Sequence, residues 1–178
     1  MDTLCRLMSP DLPLTIEPKR LAKHGETLSG QYALHEMHRL AELLHDKSGK
    51  ISFRLQFSHD NDSRISFIMG EVQANIHIVC QRCLGCMDLE IQRTVYLGIP
   101  DEQDENSKMP DDCEPLVLDE QSVTLESLIE DEVLLAIPIA PMHDAEKCSA
   151  TEILERINNN NRNNPFLALK SLVTKPGN

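Results

Sequence analysis

A pair of cysteines separated by two residues is the strongest chemical signal in the sequence. The pair lies in the segment Cys80-Gln81-Arg82-Cys83-Leu84-Gly85-Cys86. Apolar and polar residues alternate on both sides of this segment, which predicts a hairpin turn between two strands. Two thiolates on one side of a tight turn make half of a tetrahedral zinc site.

The best second half for such a site is the segment His143-Asp144-Ala145-Glu146-Lys147-Cys148. It follows two prolines, which predicts a loop in which an imidazole and a thiolate can turn toward one point. Zinc also supplies the positive charge that keeps thiolates deprotonated near neutral pH. We therefore predict a structural zinc ion bound by Cys80, Cys83, His143 and Cys148.

Several alternatives to this ligand set stay open on the sequence alone. Cys86 can replace a ligand because Cys83 and Cys86 also form a C-x-x-C pair, and Cys113 in an acidic loop can do the same. The turn can also be free of metal, or Cys80 and Cys83 can perform thiol–disulfide exchange. In thioredoxin-like sites the C-x-x-C pair opens a helix, whereas strands flank it here.

Other catalytic signatures are missing from the sequence. It contains no phosphate-binding loop, no dinucleotide-binding glycine pattern and no serine nucleophile elbow. The run Glu130-Asp131-Glu132 is predicted to be a solvated helix face, since paired catalytic carboxylates need an apolar setting to separate their pKa values. No catalytic or cofactor-binding residue is predicted, and the protein is not expected to be an enzyme.

The charge of the chain limits its partners. The 178 residues have a net charge of −12, and aromatic residues make up only 3%. Residues 1–95 hold 11 basic against 12 acidic residues, and residues 96–178 hold 6 against 17. A basic groove over the whole protein is therefore not expected, and the low aromatic content argues against a surface of stacking platforms. Two routes to RNA remain: direct contact through a local basic patch, or a basic protein held by the acidic second half. The candidate basic residues are Lys19, Arg20, Lys23, Arg54, Arg64, Arg82 and Arg93.

The spacing of apolar residues predicts an α+β fold, whose elements must position these residues. Apolar spacing predicts helices near residues 31–45 and 123–137. Alternating residues over 50–98 predict an antiparallel β-meander, with a bulge at Gly70 where the parity changes. The two main helices are expected to cover the meander, with a short helical C-terminal tail.

The predicted domain organisation is a single unit with an appendage. Residues 1–157 form one α+β domain with an acidic loop at 100–114, which has seven acidic residues and one lysine. An asparagine-rich linker at 158–164 leads to an amphipathic tail at 165–178. The chain has neither a membrane-length apolar run nor a secretory signal pattern, so a cytoplasmic protein without a membrane partner is expected.

Several of these motifs together resemble one family. They are Cys80-Gln81-Arg82-Cys83, the stretch from Leu128 to Asp144, Cys148, the tail from Asn164 to Leu172, and the entry segment Leu12-Pro13-Leu14 with Pro18. Their order and spacing are similar to those of YceD, the bacterial large ribosomal RNA subunit accumulation family. The resemblance implies a cytoplasmic factor for synthesis, processing or stability of 23S ribosomal RNA. It implies no established catalytic residue.

Overall fold

The computed structural model describes residues 12–100, 109–118, 121–160 and Leu169. Eight strands are present in this part of the chain: β1 Thr15–Ile16, β2 Thr27–Ala33, β3 Leu44–Asp46, β4 Lys50–Asp60, β5 Ile65–Val79, β6 Cys86–Pro100, β7 Glu114–Pro115 and β8 Val123–Thr124. The α-helices are α1 Pro18–His24, α2 His38–Ala41, α3 Leu125–Ala136 and α4 Thr151–Asn160. Short 3₁₀ turns lie at Leu34–Glu36 and Ala145–Lys147.

A mostly antiparallel sheet forms the frame of the molecule. Its strand order is β2-β4-β5-β6-β7, and β3 also pairs with β5. All pairings in it are antiparallel except the short β6–β7 contact. The predicted α+β class with an antiparallel sheet is therefore confirmed.

One face of the sheet is buried because the apolar residues of each strand recur at every second position. In β4, Ile51, Phe53, Leu55 and Phe57 are at most 4% exposed. Helices α1 and α3 contribute to the same core through Leu21, Ala22, Leu125, Ile129 and Val133. The alternate positions of β4, such as Arg54 and Gln56, are exposed on the opposite face, where Phe67 and Tyr96 also pack against each other.

The bulge predicted at Gly70 is wrong. The register runs without a shift through Leu55, Gly70 and Val95 on β4, β5 and β6. A Cβ atom at Gly70 would lie 1.9 Å from the carbonyl oxygen of Arg54. The glycine therefore permits a close approach of two backbones, which is another reason for glycine inside a strand. The apolar pattern of the sequence changes parity at this point because the side chain of Phe67, which precedes the glycine, lies on the outer face of the sheet.

The helix predicted near residues 31–45 is also wrong. Residues 27–33 form β2 and pair with β4, and Tyr32 stacks on Phe53 with ring centroids 5.7 Å apart. A 3₁₀ turn, the single-turn helix α2 and β3 follow. Strand pairing with β4 satisfies the backbone hydrogen bonds and overrides a local helical spacing. The sheet is instead covered by α1, which is capped after His24 by Gly25 with a left-handed φ of 66°.

The second predicted main helix is present as α3, but its acidic residues are not a solvated face. Glu130 and Glu132 are 4% and 3% exposed. Glu130 Oε1 accepts hydrogen bonds from the backbone N–H groups of Arg39 and Leu40, at 2.7 and 3.0 Å, and Oε2 accepts from Arg39 Nε at 2.7 Å. Burial raises the pKa of Glu130, but these donors outweigh it and lower the pKa. Burial dominates at Glu132 and raises its pKa, although Arg93 Nε donates to Oε2 at 3.1 Å.

The predicted appendages fall largely beyond the described residues. Residues 101–108 of the acidic loop, 161–164 of the linker, and 165–168 and 170–178 of the tail lie outside them. Helix α4 continues to Asn160 and so includes the first three residues of the predicted linker at 158–164. None of the helices in the described ranges is long and apolar enough to cross a membrane.

Candidate metal centre

The cysteine turn joins β5 to β6, as predicted. The Cys80 N–H donates to the Gly85 carbonyl at 2.9 Å, and the Leu84 N–H donates to the Cys80 carbonyl at 2.9 Å. Leu84 adopts a left-handed φ of 60°. These bonds close a tight loop and place Cys80 and Cys83 at the same end of the long hairpin.

The loop after α3 is fixed against this turn by backbone contacts. The Gln81 N–H donates to the Pro141 carbonyl at 2.8 Å. The His143 N–H donates to Cys80 Sγ at 3.4 Å. Further along, Thr151 Oγ donates to the Ala145 carbonyl at 2.7 Å and lies 3.4 Å from Arg82 Nη1. The second ligand segment is therefore held by the turn itself.

The four predicted ligands come together in one cluster. One ligand atom from each of Cys80, Cys83, His143 and Cys148 lies within 4.8 Å of all the others. We call this cluster the Cys/His centre. Tetrahedral zinc with Zn–S bonds of about 2.3 Å requires sulfur atoms about 3.8 Å apart. Cys83 Sγ and His143 Nδ1 are already 3.4 Å apart, so the set is close to the dimensions of a closed site.

The orientation of His143 suits metal binding. Its Nε2 lies 3.1 Å from the Cys86 carbonyl oxygen, which can only accept a hydrogen bond. Nε2 therefore carries a proton, and Nδ1, 3.4 Å from Cys83 Sγ, is the ring nitrogen that could bind a metal after losing its own proton. Histidine ligands of metals characteristically donate their second ring N–H to a carbonyl in this way.

The local electrostatics favour a thiolate at the centre. Burial raises the pKa of Cys80, but N–H groups of Cys83, His143 and Arg82 point at its sulfur and lower the pKa to about 5. The pKa of His143 is raised, mainly by its hydrogen bond to Cys83. Such a pocket stabilises negative sulfur beside a cation, which matches the needs of a soft divalent metal.

The alternative ligands lie apart from the cluster among the described residues. Cys86 is exposed, and only its backbone carbonyl contacts the centre. Cys113 is buried against Gly98, where an added Cβ would lie 2.8 Å from its sulfur. Its pKa is raised by burial and then by Asp112. Sequence spacing could not separate these two thiols from the four ligands.

Some residues of the predicted basic patch form side-chain contacts within the chain. Arg93 Nη2 lies 2.6 Å from Glu114 in addition to its contact with Glu132. Arg82 contacts Thr151, and Arg20 lies 3.6 Å from Glu17. These three arginines therefore have interactions within the chain. The buried partner of Arg39, Glu130, was missed because the two residues are 91 positions apart.

Comparison with known proteins identifies the family of this chain. The family model described as large ribosomal RNA subunit accumulation protein YceD matches residues 68–173, which is more than half of the chain. The chain belongs to the YceD family. This confirms the resemblance noted in the sequence, and the matched range contains all four residues of the Cys/His centre.

A curated YceD relative extends the match beyond that range. The large ribosomal RNA subunit accumulation protein YceD of Haemophilus influenzae is 29% identical over 141 residues, which are 79% of this chain and 80% of that protein. No solved structure gives a significant match. Membership of the YceD family associates the chain by name with accumulation of large-subunit ribosomal RNA.

Proposed function

We propose that this YceD-family protein is a non-enzymatic ribosome-biogenesis factor that supports synthesis, processing or stability of 23S ribosomal RNA in the cytoplasm. Its Cys/His centre binds one structural zinc ion. The observation that supports this proposal is the convergence of Cys80, Cys83, His143 and Cys148 within 4.8 Å in a chain of this family.

The donor set fits zinc. Three sulfurs and one imidazole nitrogen form a common structural zinc site, and soft thiolates select zinc over magnesium or calcium. Two backbone N–H groups, from Arg82 and His143, already donate to Cys80 Sγ at 3.4 Å each. Bound zinc would supply charge neutralisation and a cross-link between the hairpin turn and the loop after α3.

A thiol–disulfide exchange protein using Cys80 and Cys83 is the rival function, and the geometry does not favour it. Cys80 has no exposed surface, so a disulfide substrate cannot reach its sulfur. The pair also lies between two strands and not at a helix start. A redox protein would reduce a small disulfide reagent at a rate that depends on Cys83, and the structural role predicts no such turnover.

The partner is large-subunit precursor RNA, contacted directly or through a basic ribosomal protein or assembly factor. The net charge of −12 opposes broad contact with phosphates. Ion pairs within the chain also occupy Arg39 and Arg93. These observations support the route through a basic protein.

A complementation experiment tests the proposal. A strain that lacks its YceD protein would express the wild type, Cys83→Ser/Cys148→Ser, or Cys86→Ser as the matched control. The wild type and the control should restore the ratio of 23S to 16S ribosomal RNA, and the double variant should not. Full restoration by a zinc-free double variant would refute the role of the centre. An unchanged ratio in the strain lacking the protein would refute the ribosomal role.

A further inference from the structure

Strand β2 is an edge of the main sheet that lacks the usual protection against further pairing. It pairs with β4 on one side, and among the described residues no strand pairs with its other side. Edge strands are normally protected by charged side chains, by proline or by a bulge. Residues Thr27–Ala33 include no charged residue and no proline, and their register with β4 is unbroken. The strand can therefore accept one more strand beside it.

The backbone groups that point away from β4 follow from two hydrogen bonds at the ends of β2. The Phe57 N–H donates to the Glu26 carbonyl at 2.9 Å, and the Leu34 N–H donates to the Gly49 carbonyl at 3.1 Å. In an antiparallel pair, residues that bond to the neighbouring strand alternate with residues whose N–H and C=O groups point away from it. The even-numbered residues of β2 therefore face β4. The outward-facing residues are Thr27, Ser29, Gln31 and Ala33.

The outward-facing stretch is closed at both ends. The Ala33 N–H donates to Glu36 Oε2 at 3.1 Å. At the other end the Glu26 N–H donates to the Leu21 carbonyl at 3.1 Å, where the chain leaves α1. Three residues remain with outward N–H and C=O groups, and we call them the open edge. They are Thr27, Ser29 and Gln31, of which the first two are exposed.

A second copy of β2 matches the open edge group for group. When two copies run antiparallel with Ser29 opposite Ser29, Thr27 of each copy lies opposite Gln31 of the other. Each such pair exchanges two backbone hydrogen bonds, so every outward N–H and C=O group of both open edges is paired. A register centred on Gly30 would place Thr27 opposite Ala33, whose N–H is already bound by Glu36. The register centred on Ser29 is therefore preferred.

The apolar side of β2 suits the same register. Leu28 and Tyr32 are only partly buried against the core, so a strand beside β2 would cover apolar surface that β4 leaves open. Leu28 would lie opposite Gly30 of the second copy. An added Cβ at Gly30 would be 2.7 Å from Leu12 Cδ1, so the Leu12 side chain fills that space and would contact Leu28 across the interface.

The charge near the open edge favours a second copy over a basic partner. The chain has a net charge of −12, but residues 15–36 hold three basic and three acidic residues. Charges farther away than about 8 Å are largely screened at physiological salt. Two copies can therefore meet here without local repulsion. A basic strand would find no acidic side chain in β2 to select it.

We propose that the protein forms a symmetric dimer in which the β2 strands of two copies pair antiparallel around Ser29 and join the two sheets. Most soluble homo-oligomers are dimers with such a two-fold axis. This inference goes beyond the proposed function and does not depend on zinc, because no residue of the Cys/His centre lies in β2.

The test measures the mass of the full-length protein by light scattering and sedimentation over a wide concentration range. The mass of the wild type should rise toward twice the 20.1 kDa of the chain. Ser29→Glu and Ser29→Lys should each weaken dimerisation at least about tenfold, because each places like charges directly opposite each other. An equimolar mixture of these two variants should dimerise again. Thr94→Glu, at an exposed position of β6, is the control and should stay within about twofold of the wild type.

Urea unfolding and circular dichroism separate loss of the dimer from loss of the fold. The Ser29 side chain is exposed and its backbone groups do not bond to β4, so both charge variants should fold like the wild type. Ser29→Pro provides an independent variant, because it removes the central outward N–H without removing a bond to β4. It should also be a folded monomer.

Several results would overturn the proposal. One is a wild type that stays monomeric at every concentration, and another is a dimer that persists in all three Ser29 variants. A mixture of Ser29→Glu and Ser29→Lys that stays monomeric would refute the pairing of Ser29 with itself. A dimer that forms only after residues 1–11 are removed would assign the open edge to that segment, which leads into Leu12 beside Gly30.

Discussion

Replacement of Cys83 by serine is the sharpest test of the centre, because the chain provides a matched control three residues away. Cys83 Sγ lies 3.4 Å from His143 Nδ1, whereas the Cys86 side chain is exposed and outside the cluster. Cys83→Ser and Cys86→Ser make the same chemical change at two ends of one turn. We expect the first to abolish zinc binding and the second to preserve it.

The size of the effect follows from binding linkage. Zinc held at 100 times its dissociation constant stabilises the native state by about 2.7 kcal/mol. For a chain of this length, each kcal/mol shifts the melting temperature by about 2–4 °C. Cys83→Ser should therefore lower the melting temperature in zinc by about 5–11 °C. Cross-linking Cys83 to His143 closes a loop of 60 residues, for which the chain-entropy model of a covalent bridge gives about 4 kcal/mol, a similar scale.

Thermal unfolding with and without a chelator provides the assay, together with metal analysis of each purified protein. The wild type and Cys86→Ser should contain one zinc per chain and lose stability when the chelator is added. The melting temperature of Cys83→Ser should not change when the chelator is added. Wild type without zinc, or a Cys83→Ser variant that melts within about 2 °C of wild type in zinc, would refute the reasoning. Loss of zinc from Cys86→Ser would show that Cys86 is one of the ligands.

Further predictions address the buried charges, the sheet and the thiols. Glu130→Gln should cost about 2–3 kcal/mol at pH 7, since it removes hydrogen bonds to a buried carboxylate, whereas the exposed Asp131→Asn should cost under about 1 kcal/mol. Because the folded-state pKa of Glu130 is lowered below 4.5, its contribution is complete above that pH and is lost as the pH falls through the folded pKa. The free energy of unfolding, measured in urea, should therefore differ less between wild type and Glu130→Gln in acid than at pH 7. A difference that stays constant from pH 7 to 3 would contradict this. Gly70→Ala should prevent folding or cost more than about 3 kcal/mol in the same assay, because its Cβ would lie 1.9 Å from a backbone oxygen of the neighbouring strand; a stable, native-like variant would show that the strands can separate. Alkylation of the native protein followed by mass spectrometry should label the exposed Cys86 well before the buried Cys113, whose pKa is raised, and the reverse order would contradict the assigned burial.

The four residues of the Cys/His centre could be predicted from sequence because metal chemistry restricts the choice. Few residue types offer soft donors, and a C-x-x-C pair at a hairpin turn leaves two positions to fill. The histidine and cysteine of the loop at 143–148 met that need, and the structure brings them to the turn. The exclusion of the Cys86 thiol depends on the direction of a side chain at the start of β6, which spacing does not reveal.

The fold was predicted less completely, for a physical reason. Residues 31–44 satisfy a helical period, yet residues 27–33 form a strand because β4 offers seven paired positions. Pairing between distant segments outweighs local spacing in such cases. The burial of Glu130 has the same origin, since its partner Arg39 is 91 residues away. An acidic triplet on a helix gives no local sign of that contact.

The Cys/His centre lies at a weak point of this sheet. Strand β4 pairs with β5 only as far as Ala74, so the tip of the β5–β6 hairpin extends beyond it. The short strand β3 supports the tip at two positions, His77 and Ile78. A two-stranded hairpin has marginal stability in water by itself. A metal bound at the end of this hairpin would stabilise the tip and, through Cys148, the start of α4.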